Sequence, residues 1–125
     1  MNLRYFKNDL SEFACKETGN NLIQESFVHA LDDLRDACGF PFVITSGYRD
    51  PTHSAEINKS QPGQHCLGIA ADIAVSGGAQ RFIIVEHALR MGFRGIGTAK
   101  TFVHVDLRET TPMHPVSPYG CAKVY

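Results

Sequence analysis

Two short segments of the sequence carry the residue types that bind metals and transfer protons. In GQHCLGIAADI, His65 and Asp72 stand seven positions apart with almost nothing polar between them. In FVHVDLR, His104 and Asp106 alternate with apolar residues. Imidazole and carboxylate groups are typical ligands of open, catalytic zinc sites, whereas closed structural sites favour cysteine-rich sets. These residues could therefore activate water on a bound metal ion.

The first segment places an aspartate inside an apolar run. On an extended strand Asp72 shares a face with Ala70 and Ala74, whose small side chains leave room beside it. An isolated aspartate there would cost several kcal/mol or become protonated, so it needs a metal ion, an arginine or a hydrogen-bond cluster as partner. His65 precedes the run, after a Pro-Gly loop. This pair alone is compatible with a structural Asp–His contact or with a metal site.

The second segment has the alternation of a strand with one polar face. Phe102, His104 and Asp106 share one face, and Val103, Val105 and Leu107 share the other. An edge strand with a solvated polar face would have the same pattern. However, the imidazole and the carboxylate lie about 6.6 Å apart along such a strand, a span that one metal ion and its water could bridge.

The remaining elements predict an α+β fold. We predict a first helix in NNLIQESFVHALDDLRDACGF, with Asn20 or Asn21 as N-cap and Gly39 at its end. A second helix is predicted in SGGAQRFIIVEHALRMGF, ending at Gly92. PFVITSGYR, LGIAADIAV and FVHVDLR are predicted strands.

The segments between these elements are predicted to be less regular. DPTHSAEINKS is predicted to be a short helix opened by Asp50 with Pro51 at its first position. FRGIGTAKTF is predicted to be a glycine-bearing turn, and residues 109–125 a proline-containing tail.

Composition limits the possible functions. The 125 residues predict one domain, 1–125, and 12 basic against 13 acidic residues give no signature of nucleic-acid binding. The sequence has no run long enough to span a membrane and no apolar leader, so we expect a protein made in the cytoplasm without a signal peptide. We expect a monomer. The four cysteines form no C-x-x-C pair and are expected to be free thiols.

The ordered set SGYRDPTHSAEI, GQHCLGIAADI and FVHVDLR resembles the zinc D-Ala-D-Ala carboxypeptidase family, which is grouped with lysostaphin-type peptidases and the hedgehog signalling domain. The resemblance extends from about EFACK to HVDLR. It implies a small central antiparallel sheet with flanking helices and a zinc site in a cleft on the sheet. It also implies that His65, Asp72 and His104 bind zinc and that Arg49 holds a substrate carbonyl or carboxylate.

The chain departs from this family at the last motif. Many relatives end the site with Glu-x-x-His or His-x-His, but Thr101 stands where that glutamate would be. We therefore predict Asp106 as the catalytic acid/base beside zinc-bound His104, with the reverse assignment left open. Tyr48 and His53 are predicted to contact substrate, although packing for Tyr48 and solvent exposure for His53 are equally compatible with the sequence.

The resemblance implies a zinc-dependent peptidase that hydrolyses peptidoglycan stem peptides. It would act as a D,D-carboxypeptidase or as an L-alanyl-D-glutamate-type endopeptidase. Its setting would be that of a phage endolysin, active on the cell wall after release, or that of a wall-remodelling enzyme. The alternative is a non-catalytic, zinc-containing binding module of the same fold.

Overall fold

The computed structural model describes residues 2–58 and 63–109 and the backbone of residues 121–124. Its strands are β1 (Ile44–Ser46), β2 (Ala70–Ala74), β3 (Gly95–Thr98), β4 (Phe102–Asp106) and β5 (Cys121–Val124). They form one sheet in the order β1-β2-β4-β3-β5, in which the first four are antiparallel and β5 runs parallel to β3. Helices α1 (Glu25–Cys38) and α2 (Gly78–Arg90) complete the α+β fold, as predicted.

The two helices cover the apolar face of the sheet. Helix α1 buries one side of its surface, and α2 packs on β3 and β4 as well as on α1. The sheet contributes fully or almost fully buried side chains to this core, namely Ile73, Ile96, Val103 and Val105. Strand β4 lies between β2 and β3, so the alternative of a solvated edge strand is wrong. The polar face of β4 is buried as well.

Helix α1 begins later than the sequence predicts. Asn21 is not its N-cap; its amide donates to the Leu10 carbonyl, and its Oδ1 accepts the Ile23 N–H. Gln24 is extended and donates its N–H to the Gly68 carbonyl, so this long-range contact keeps the chain out of the helix. The end at Gly39 is as predicted, with the glycine at φ 80°.

The short helix predicted after β1, in DPTHSAEINKS, is not formed by the residues of this segment that the structure describes. Residues 51–58 form turns, in which His53 N–H donates to the Asp50 carbonyl and Glu56 N–H to the His53 carbonyl. The Asp50 carboxylate accepts hydrogen bonds from Thr18, Asn20 and Tyr48, so it does not cap a helix. Residues 59 and 60 of this segment lie outside the described residues.

The predicted glycine-bearing turn contains strand β3, so this prediction is also wrong. Gly95 pairs with Asp106 and Gly97 with His104 across the ladder. Glycine marks places in a strand where another group approaches closely, and Gly95 is such a place because a Cβ there would lie 2.1 Å from both Asp106 carboxylate oxygens. The C-terminal tail, for which no strand was predicted, contributes β5.

Two further findings concern cysteines and membranes. Cys15, Cys38 and Cys66 are free thiols, as predicted, while the side chain of Cys121 lies outside the described residues. In the described part of the chain, neither helix has the length and apolarity needed to cross a membrane.

Asp32 attaches the N-terminal segment to α1, which yields a stability prediction. Its buried carboxylate accepts the main-chain N–H groups of Arg4 and Tyr5 and a side-chain hydrogen bond from Arg4. Asp32→Asn removes the charge and part of this acceptor capacity, and should lower the free energy of unfolding by about 1–3 kcal/mol in urea titrations. Asp33→Asn, at an exposed carboxylate on the same helix, is the control and should change it by less than about 0.5 kcal/mol.

Candidate metal centre

The register of the sheet places the key side chains in one row. Asp72 on β2 is directly opposite His104 on β4, and these two residues are flanked by Ser46 on β1 and Gly97 on β3. Directly opposed residues point to the same face with their Cβ atoms about 4.5–5.5 Å apart. The strand pairing itself therefore brings a carboxylate and an imidazole together.

His65 reaches this row from the turn before β2. Its Nδ1 lies 2.7 Å from the Gly47 carbonyl oxygen. A carbonyl only accepts, so Nδ1 carries the proton, and the Nε2 of the neutral ring presents a lone pair. This Nε2 lies 3.3 Å from Asp72 Oδ1. The carbonyl is held in place because Gly47 packs closely on Phe13: a Cβ at Gly47 would lie 2.7 Å from the Phe13 Cα.

His104 approaches the same carboxylate oxygen from the other side. Its Nδ1 lies 3.0 Å from Asp72 Oδ1, and its Nε2 lies 2.6 Å from Asp106 Oδ2. One ligand atom from each of His65, Asp72 and His104 lies within 4.8 Å of the others, and all three residues are buried.

These three atoms fit a metal ion by their chemistry and spacing. Ligands about 2.0–2.2 Å from a tetrahedral zinc lie about 3.3–3.6 Å from one another, close to the separations from Asp72 Oδ1. Two nitrogens and one oxygen are the donor set of an open zinc site, in which water takes the fourth position. His65, Asp72 and His104 are thus a possible metal site.

The electrostatics of the group keep Asp72 ionised. Burial by itself would raise the pKa of Asp72, but the adjacent imidazoles of His104 and His65 outweigh it and hold the pKa below its usual value. Burial would likewise lower the pKa of His104, yet its contacts with Asp106 and Asp72 raise it. An ionised carboxylate is the form that binds a cation.

Arg49 lies beside the ligand group. Its Nε donates to Ser46 Oγ at 3.0 Å, one terminal nitrogen to Glu56 Oε2 at 3.3 Å and the other to Asp72 Oδ2 at 3.4 Å. The guanidinium therefore holds the Asp72 oxygen that does not face the histidines. These contacts use three of its five N–H groups. A contact between Arg49 and substrate stays a prediction.

Asp106 lies behind His104 and outside the ligand group. It is fully buried, and it contacts Nε2, the ring nitrogen that does not face Asp72. Arg108 donates to it through Nε at 2.9 Å, through Nη2 at 2.7 Å and through its main-chain N–H at 3.0 Å. Burial would raise the pKa of Asp106, but His104 and Arg108 lower it. Its role as catalytic acid/base stays a prediction.

Tyr48 and His53, predicted to contact substrate, make structural contacts. Tyr48 is buried, and its hydroxyl donates to Asp50 Oδ1 at 2.7 Å; burial and this hydrogen bond raise its pKa to about 12. His53 Nε2 lies 3.2 Å from Glu17 Oε2, and its Nδ1 accepts the Ala55 N–H. Tyr48 thus forms a hydrogen bond within the loop after β1, and His53 attaches this loop to Glu17. Their substrate-binding role stays a prediction.

Two residues of the site were not assigned from the sequence. Glu56, seven positions after Arg49, is buried and receives the N–H of Gly63 and the thiol of Cys66 in addition to Arg49. No local pattern predicts this contact, because it depends on the path of the loop. Arg108 could have been found, since it follows Asp106 by two positions, the spacing of same-face neighbours on a strand.

Two buried histidines and one buried aspartate with adjacent ligand atoms are a donor set typical of catalytic zinc sites. A family model described as Peptidase M15 matches residues 5–106. The chain therefore belongs to the Peptidase M15 family, and its class is metallopeptidase. A search of curated proteins found no match.

The geometry predicts one metal ion per chain. Replacing His65, Asp72 or His104 by alanine removes one of three protein ligands, and each variant should lose most of the bound zinc measured by elemental analysis after dialysis. His29→Ala is the matched control, because His29 is exposed on α1. Full zinc occupancy in the His65 and Asp72 variants would contradict the assignment.

Proposed function

We propose that this protein is a zinc peptidase that hydrolyses peptide bonds in peptidoglycan stem peptides. It would act as a D,D-carboxypeptidase or as an L-alanyl-D-glutamate-type endopeptidase. The observation that carries the proposal is the convergence of three ligand atoms on one point in a chain of the Peptidase M15 family. The resemblance of the three sequence motifs to wall peptidases supports the substrate class.

The ligands would be His65 Nε2, Asp72 Oδ1 and His104 Nδ1, because these atoms face one another. Zinc bound there would supply a Lewis acid and lower the pKa of a bound water to about 7. The protein holds two of the three ligands from behind: Gly47 orients His65, and Arg49 orients Asp72.

Arg49 is proposed to bind the substrate. The Ser46 hydroxyl and the Glu56 carboxylate fix the guanidinium beside Asp72, so its position does not depend on substrate. A fixed cation next to the reacting carbonyl stabilises the negative charge that develops on oxygen. The same group could instead hold the terminal carboxylate of a stem peptide, as a carboxypeptidase requires.

The proposed setting follows from the substrate. As a wall peptidase, the protein would act on peptidoglycan after release from the producing cell, as an endolysin does, or it would act in wall remodelling. We propose that the protein acts as a monomer, without nucleic acid as a partner.

A non-catalytic zinc-containing binding module remains the second candidate. Two observations favour it: Thr101 replaces the glutamate of the Glu-x-x-His pattern, and the Asp106 carboxylate is fully buried between Arg108 and His104. A binding module would retain zinc and bind wall fragments without cleaving them.

Purified sacculi separate these two functions. The zinc-loaded protein should release peptides or D-alanine from sacculi, a chelator should stop the release, and added zinc should restore it. Mass spectrometry of the products identifies the bond that is cut. Asp72→Ala is the control for zinc-independent release. Sedimentation of intact protein with uncleaved sacculi would support the binding module instead.

Arg49→Lys tests the proposed substrate contact. Lysine keeps the charge but cannot reproduce the planar set of donors to Ser46, Glu56 and substrate. We expect kcat/KM to fall by about 10²-fold or more, the usual effect of losing a transition-state donor. Zinc content should stay near one per chain. A loss of zinc with unchanged activity per bound zinc would show that Arg49 only holds Asp72.

A further inference from the structure

We infer that Asp106 is a positioning residue: it accepts the Nε2–H of His104 and thereby directs the Nδ1 lone pair toward His65 and Asp72. This role differs from that of proton acceptor, which the sequence predicted for it. The inference rests on the proposed function only in requiring that a metal ion binds to His104.

The surroundings of Asp106 do not suit a group that takes protons from water. A general base must lie within hydrogen-bond reach of the water, directly or through one other water. Asp106 is fully buried. Its Oδ1 accepts two N–H groups of Arg108, and its Oδ2 accepts Arg108 Nη2 and lies 2.6 Å from His104 Nε2. The imidazole ring of His104 stands between this carboxylate and Asp72 Oδ1.

The carboxylate is fixed from two further sides. Arg108 neutralises the charge and contacts both oxygens, which offsets the cost of burying the carboxylate. Gly95, opposite Asp106 on β3, leaves the space that the carboxylate fills, because a Cβ there would lie 2.1 Å from each oxygen. A group held so closely is suited to fixing the orientation of a neighbouring ring.

The two histidines are then held in opposite tautomers. His65 donates Nδ1–H to the Gly47 carbonyl and presents Nε2, whereas His104 donates Nε2–H to Asp106 and presents Nδ1. A hydrogen bond from the second ring nitrogen to a carbonyl or carboxylate is how proteins orient metal-bound histidine, and losing it typically costs 10–100-fold in metal affinity.

The first test measures zinc affinity by competition with a chromophoric chelator. Asp106→Ala should weaken zinc binding by about 10–100-fold, and Asp106→Asn should weaken it less because the amide oxygen still accepts the Nε2–H. Asp32→Asn is the control, since it alters a buried, hydrogen-bonded aspartate outside the site. It should lower stability and leave zinc affinity unchanged.

The second test changes Asp106 without replacing it. Gly95→Ala introduces a methyl group that must displace the carboxylate, so zinc affinity should fall although Gly95 itself offers no ligand. Gly78→Ala is the matched control, because a Cβ at Gly78 on α2 meets nothing within 4 Å.

Nitrogen-15 NMR of the zinc-loaded wild type reads the tautomers directly and needs no variant. His104 should show protonated Nε2 with metal-bound Nδ1, and His65 the opposite pattern. Metal-bound Nε2 in His104 would overturn the inference. So would wild-type zinc affinity in both Asp106 variants combined with lost turnover, which is the signature of a proton acceptor. Zinc binding without hydrolysis of any wall peptide would reject the proposed function and leave the inference standing.

Discussion

Three ligand atoms held close together are the constraint on which the site depends. His65 Nε2 and His104 Nδ1 both lie within 3.3 Å of Asp72 Oδ1. Acceptors at this distance repel unless a cation or a proton lies between them. Each ligand is therefore held from behind by a different group: the Gly47 carbonyl, the Arg49 guanidinium or the Asp106 carboxylate.

The sheet offsets the free-energy cost of burying these charged groups, because β2 and β4 are buried on both faces. Their apolar side chains, with Ile73, Val103 and Val105 fully buried, pack under the helices and supply hydrophobic stabilisation. The strand register fixes the positions of the charged side chains on their other face. A buried charge is tolerated there only when it has an oppositely charged or hydrogen-bonding partner. Arg108 for Asp106 and Arg49 for Asp72 meet that requirement.

The parts predicted correctly depend on local pattern, and the parts that were wrong depend on distant contacts. Alternation in β4 placed His104 and Asp106 on one face, and the apolar run around Asp72 predicted β2. Strand β3 was missed because glycines such as Gly95 are typical of turns. The strand requires glycine at this position because the Asp106 carboxylate, across the ladder, occupies the space that a Cβ would need. The loop after β1 was misread because the Asp50 carboxylate bonds to Thr18 and Asn20 instead of capping a helix.

One imidazole between two carboxylates leaves a choice of which nitrogen faces the metal, and charge compensation decides it. Asp106 has a close guanidinium contact on both oxygens and no solvent access, so its charge is already balanced by Arg108. Asp72 shares its Oδ1 with a second imidazole, and its contact with Arg49 is longer, at 3.4 Å. Negative charge is therefore less fully balanced on the Asp72 side of His104, and that is the side on which a divalent cation is most strongly attracted.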